Sequence, residues 1–196
     1  DEALAGDGKK IKISTREKEN GACVIDYGRG VPFGMREDGE NVLVCSYSKS
    51  HTGGKFKEGA YKNASGLNGI GAKCVCLSSE KCEIQSVRDG KAAMAYFEKG
   101  LLVNYHETTL NQPNGTYVRF KPDPEVFKNG PIGYSYDRVC NDIRDISYLY
   151  PGITFVVTNA DINMDKTYCA KNGIVDFVKD RSEEHTSELQ SRSDLV

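Results

Sequence analysis

Apolar and polar residues alternate over residues 9–16, with Ile11 and Ile13 on one side; Glu19-Asn20-Gly21 then turns the chain and residues 22–27 run back. A period of two on either side of a turn predicts a β-hairpin. Residues 41–48 carry Val42, Leu43, Val44 and Tyr47 behind the acidic run Glu37, Asp38 and Glu40, which predicts a short helix. A second helix is predicted over 70–77, with glycine in its first turn. Residues 81–87 and 92–97 flank Arg88-Asp89-Gly90-Lys91, whose Asp-Gly centre favours a tight hairpin turn. A strand over 116–120 stops at Pro122 and Pro124. Val139, Ile143, Ile146 and Leu149 recur near the helical period over 136–149, residues 153–157 read as a strand, and 173–178 begin one more helix. Strands in hairpins, with helices between groups of them, imply an α+β fold: a two-layer sandwich with a mixed, mostly antiparallel sheet and helices on one face.

Residues 49–68 break this rhythm, being polar, glycine-rich and without a period, so they read as either a working lid or a disordered stretch. The end of the chain breaks it differently. Residues 181–196 show no apolar period, and 181–191 look like the in-frame translation of a common sequencing-library adapter, so the natural domain is expected to be 1–180. Asp1-Glu2-Ala3-Leu4-Ala5-Gly6 reads as the end of a helix whose beginning is absent, so truncation is expected at both ends.

At 196 residues the chain suits one compact domain with a sizeable core. Setting aside 181–196, which hold two Arg, three Glu and one Asp, leaves 24 basic and 24 acidic residues. That balance argues against tight, purely electrostatic binding of nucleic acid by this segment. No apolar run approaches the ~20 residues that span a bilayer, and a cytoplasmic protein with no membrane partner is expected. The seven cysteines are odd in number and sit mostly within apolar runs, which suits reduced core thiols. Cys74-Val-Cys76 lacks the spacing of a zinc pair, and so few ligands remain that no structural metal is expected.

Three separated stretches carry candidate chemistry. Asp26-Tyr27-Gly28-Arg29-Gly30 ends a strand, where a carboxylate can accept from a purine amino group while bare backbone admits a flat ring. Taken alone, it reads as a turn. Ser65-Gly66-Leu67-Asn68-Gly69-Ile70-Gly71-Ala72-Lys73 opens a helix, where free amides face an anion; the alternative is a flexible linker, against which Leu67 and Ile70 interleave the glycines. Asn114-Gly115-Thr116 places a hydroxyl at a strand start, although Thr116 also suits a strand by its branching alone. His51 and Lys55 stand in the lid, where they reach phosphate oxygens or are simply solvated. Together, in this order, the stretches describe an ATP site.

Asp26-Tyr-Gly-Arg-Gly-Val-Pro32, His51-Thr-Gly-Gly-Lys-Phe56, Gly66-Leu-Asn-Gly-Ile-Gly71 and Asn114-Gly-Thr-Tyr-Val-Arg-Phe-Lys-Pro-Asp123 resemble, in order and spacing, the ATPase domain of bacterial type IIA DNA topoisomerases, in the B subunit of gyrase or topoisomerase IV. Histidine kinases, MutL proteins and the ninety-kilodalton chaperone share the wider GHKL nucleotide fold and are the rival class; a nucleotide sensor that never hydrolyses is a third reading. The resemblance implies that Asp26 binds the adenine amino group with help from Thr116, that Gly30 and Val31 line the base, and that Gly66, Leu67, Asn68, Gly69, Ile70, Gly71 and Ala72 wrap the triphosphate with Lys55. It implies a pairing of Arg29 with Glu2 at the pocket mouth, and aminocoumarin contacts for Arg29, Pro32 and Arg88. Asn68 stands where bacterial members usually carry His, an amide that donates but does not titrate.

The resemblance places the general-base glutamate and the Mg2+-binding asparagine on a helix preceding Asp1, so this chain by itself is expected to contain no catalytic residue and to hydrolyse ATP poorly, a positioned base being worth ~10² to 10⁴ in rate. For the parent it implies an ATP-dependent dimer of two such subunits, a topoisomerase A-type partner and DNA held by other domains, in a gate that passes one duplex through another. Gyrase and topoisomerase IV are not distinguished by these residues.

Overall fold

The computed structural model describes residues 7–49, 70–128 and 134–193. In chain order the elements are β1 (Lys10–Arg16), β2 (Gly21–Asp26), α1 (Val42–Ser48), α2 (Ile70–Leu77), β3 (Ser79–Arg88), β4 (Lys91–Glu98), β5 (Leu101–Thr109), β6 (Gly115–Pro122), α3 (Tyr136–Leu149), β7 (Thr154–Asn159), β8 (Met164–Tyr168) and α4 (Ile174–Ser193). The strands form one sheet in the order β5-β4-β3-β6-β2-β1-β7-β8. Only β1 and β7 run parallel; every other neighbouring pair is antiparallel. Antiparallel hairpins need only short turns, whereas the parallel β1–β7 pair requires a crossover, and α3 precedes β7 in that connection.

One cross-strand row explains why all the packed helices share a face. Val157, Ile13, Val24, Val118, Ile84 and Ala95 are register partners across six strands. Against this face Leu43 and Tyr47 of α1 and Cys76 of α2 join Ile84, Ala95 and Phe97 in one core. Val139 and Ile143 of α3 pack at the other end against Ile13, Ile153 and Phe155. Burial of that apolar row, at roughly 25 cal/mol per Å², is the main force closing the two layers.

Local signals account for the helix starts. The Asn41 side-chain oxygen accepts from the Val44 amide at 3.1 Å and caps α1. Ser135 offers no cap to α3; instead Glu17, in the β1–β2 turn, accepts from the Tyr136 amide at 2.7 Å. Five of the seven cysteines are buried, Cys74 and Cys169 are exposed, and all are free thiols, as the apolar surroundings predict.

Two strands are absent from the sequence-based expectation, and both are sheet edges. β5 is exposed along nearly its whole length, as is β8, so neither has a buried face to impose alternation. The turn leading into β5 is Lys99-Gly100, both at positive φ (49° and 77°), and lysine does not announce such a turn. Residues 181–193, expected to lie outside the fold, continue α4 as helix to Ser193. The helix is anchored earlier, where Phe177 packs edge-on to Tyr148 and the Tyr148 hydroxyl donates to Asp180; helix once nucleated propagates through ordinary helix formers without needing an apolar face.

Candidate functional site

Asp26 is the last residue of β2, two positions beyond Val24, and therefore faces the helix layer. Its register partner on β6 is Thr116, and that of Thr116 on β3 is Ser86. A carboxylate and two hydroxyls thus form a polar row at the end of the apolar face. Thr116 is 6% exposed and Ser86 fully buried. Tyr47 of α1 stands over the row: burial pushes its phenol pKa up, and the neighbouring Asp26 carboxylate adds to the rise. One Asp26 oxygen accepts from the Gly28 amide at 2.9 Å, which turns the chain away from the sheet and fixes the carboxylate at the strand end.

The loop after β2 is fastened to β3 edge-on. Ser86 Oγ donates to the Val31 carbonyl at 2.7 Å, and Arg88 Nη1 donates to the Gly30 carbonyl at 2.7 Å. Gly30 adopts φ 76°, and a Cβ there would collide with the Val87 carbonyl. A side chain at this position would force the loop off the strand. Gly30 and Val31 are therefore held beside the polar row.

On the same layer α2 begins at Ile70. Ile70, Gly71 and Ala72 are exposed, Gly71 has open space where a Cβ would stand, and Lys73 and Cys76 turn into the core. The helix start and the Asp26 carboxylate thus belong to one side of the sheet. Glu2, His51, Lys55, Gly66, Leu67, Asn68 and Gly69 lie outside the described residues. Arg29 pairs with Asp7, Nε to Oδ2 at 3.1 Å, a partner that sequence reasoning did not name. Both side chains are about half exposed, so the pair contributes little to stability.

Pro32 and Arg88, with Phe33, Asp89 and Lys91, border an open cleft of about 310 Å³ beside Gly30. A second groove, of about 240 Å³, lies on the opposite face among Arg16, Glu19, Lys81, Glu83, Tyr96 and Arg119. Glu19 ties Arg119 (2.8 Å) to Arg16 (3.7 Å) there. It has no access to the Asp26 row, which is one strand face away. Among the described residues no group of three or more His, Cys, Asp or Glu could hold a metal ion, and no helix is long and apolar enough to cross a membrane.

Sequence reasoning missed Ser86 and Tyr47. Ser86 was legible in principle: Cys82, Ile84 and Ser86 share the inward phase of β3, and a hydroxyl in an inward position needs a partner. Tyr47 is read from its period as core, and only the packing of α1 over β2 brings it to a carboxylate.

An eight-stranded mixed sheet with helices on one face is the two-layer fold of the GHKL class. The crystal structure of the 43K ATPase domain of Thermus thermophilus gyrase B, in complex with an aminocoumarin, superposes with a TM-score of 0.77 at 27% identity, covering 93% of this chain and 46% of that one. The B subunit of DNA topoisomerase 4 from Enterococcus faecalis is 35% identical over 94% of this chain, and the B subunit of DNA gyrase from Thermus thermophilus is 34% identical over 91%. No family model matches. Over nearly its whole length the chain is similar to B subunits of type II DNA topoisomerases, in the region of the gyrase B ATPase domain. It spans 27% and 28% of the length of those two relatives.

Proposed function

We propose that this chain binds ATP in the cleft between the Asp26–Thr116–Ser86 row and the start of α2. The supporting observation is that row: a carboxylate and two buried hydroxyls on the helix-facing side, beside a loop that Gly30 lets lie flat against β3. In this reading Asp26 accepts from the adenine amino group and Thr116 supports it. Gly30 and Val31 pack on the ring. Gly66, Leu67, Asn68, Gly69, Ile70, Gly71 and Ala72 hold the phosphates through backbone amides, with Lys55 adding charge. Arg29, Pro32 and Arg88 form the rim on which an aminocoumarin rests, and Glu2 shares Arg29 with Asp7. Mg2+ would accompany the triphosphate.

For the parent protein we propose an ATP-hydrolysing type II topoisomerase of the cytoplasm. Nucleotide would favour the closed form of the lid and of a dimer of two such domains, and hydrolysis would release it. An A-type subunit and other domains would supply DNA binding and cleavage. Residues 181–196 are proposed to be foreign to the domain.

Substituting Asp26→Ala tests the pocket. Loss of one charge-assisted hydrogen bond should weaken ATP binding by ~1.5 to 3 kcal/mol, roughly ten- to a hundredfold, in isothermal titration. Unchanged affinity would sink the assignment.

A further inference from the structure

Beyond the β3–β6 ladder itself, one reciprocal side-chain clamp joins the ends of the two strands that carry the walls of the proposed nucleotide cleft. Asp89, in the β3–β4 turn, donates its backbone amide to Asn114 Oδ1 at 2.7 Å, and Asn114 Nδ2 returns a bond to Asp89 Oδ1 at 3.1 Å. Asp89 immediately follows Arg88, whose guanidinium holds the Gly30 carbonyl. Asn114 precedes Gly115 and Thr116, which meet Asp26 across β2 and β6. A displacement at either end of the clamp is therefore passed within two residues to both walls.

Other contacts make this joint stiff. Asp89 and Gly90 take positive φ (52° and 77°), so the turn has one backbone shape, and the Leu110 amide donates to the Gly90 carbonyl at 3.0 Å. Gln85 Nε2 reaches Gln112 Oε1 at 3.3 Å from the adjacent strand. Asp89 is exposed and Asn114 half-buried, so their bonds add little to global stability; their effect is on the spacing of the residues beside them.

We propose that Asp89 and Asn114 are positioning residues of the nucleotide cleft, setting the separation of the Arg88–Gly30 wall from Thr116 and Asp26. The inference rests on the nucleotide reading above. An amide and a carboxylate each offer an acceptor to the Asp89 backbone amide, so exchanging the two side chains keeps that bond as it is and reverses only the side-chain bond. Asn114→Asp alone sets two carboxylates face to face and breaks the side-chain half of the clamp.

The test is titration of the 196-residue chain with ATP and with ADP, well below its unfolding temperature. Asn114→Ala and Asn114→Asp should each weaken binding about three- to tenfold, the range expected for one or two exposed hydrogen bonds. The exchanged pair, Asp89→Asn with Asn114→Asp, should regain most of the parent affinity. Parent-like binding by Asn114→Ala overturns the inference while leaving the nucleotide reading intact, and so does failure of the exchange to restore what Asn114→Asp lost. Absence of binding by the parent chain overturns the nucleotide reading, and this inference with it.

Discussion

Gly115 lies directly against the backbone of Asp26: a Cβ on residue 115 would run into the Asp26 carbonyl oxygen. The end of the β2–β6 ladder, where the carboxylate and Thr116 face each other, can close only over a residue without a side chain. Gly115→Ala must push the two strands apart at the site. The expected cost is ~1 to 3 kcal/mol, measurable as a lower urea midpoint with unchanged slope, together with weakened nucleotide binding. A variant as stable as its parent would show that the ladder end has slack.

Ser86→Ala removes a buried hydroxyl whose bond reaches out of the sheet to the Val31 carbonyl. That carbonyl loses its partner in a partly buried place, so a destabilisation of ~1 to 2 kcal/mol is expected, with a fall in ATP affinity as the loop loosens. Denaturant melts and titration separate the two effects. Equal affinity in the folded variant would detach Ser86 from the site.

Alkaline pH should destabilise the fold through Tyr47. Burial and the Asp26 carboxylate both raise its folded-state pKa above the ordinary value of 10. The stabilising difference is fully present below pH ~10; above it the unfolded chain ionises while the folded one does not, and stability falls as pH rises. Tyr117 behaves alike, burial pushing it up to about 12. Tyr47→Phe should therefore flatten the loss of melting temperature between pH ~10 and ~11.5. A parallel decline in parent and variant would exclude Tyr47 as the source.

Removing residues 181–196 should leave the domain as it was. The main contacts that seat α4, Phe177 on Tyr148 and Asp180 beneath the Tyr148 hydroxyl, precede the cut, which removes the exposed Arg181 guanidinium from over the Phe177 ring. Thermal melts should agree within about 2 °C, a difference corresponding to roughly 0.5 to 1 kcal/mol. A larger drop would mean that the tail belongs to the fold.

Much of the architecture was legible because it is written in short-range periods. The first hairpin, the β3–β4 hairpin with its Asp-Gly turn and α3 all carry a buried face, and a buried face forces a repeat of two or near 3.6. β5 and β8 were not legible for the converse reason. They are held by hydrogen bonds to one neighbour, and backbone hydrogen bonds leave no mark on side-chain identity.

The site divides in the same way. Asp26, the glycine-rich helix start and Thr116 are recognisable as residue types suited to a base, a phosphate and a supporting hydroxyl, and their order along the chain was enough to group them. Their distances apart in sequence say nothing of where they meet. Register alone sets Asp26 opposite Thr116 and Thr116 opposite Ser86. The pairing of Arg29 with Asp7, the phenol of Tyr47 over the carboxylate and the clamp of Asp89 on Asn114 all depend on how the chain is brought together in the fold. Local chemistry is a property of residues and their neighbours in the chain; proximity between distant residues is decided only when a shared core fixes which strands adjoin and in what phase.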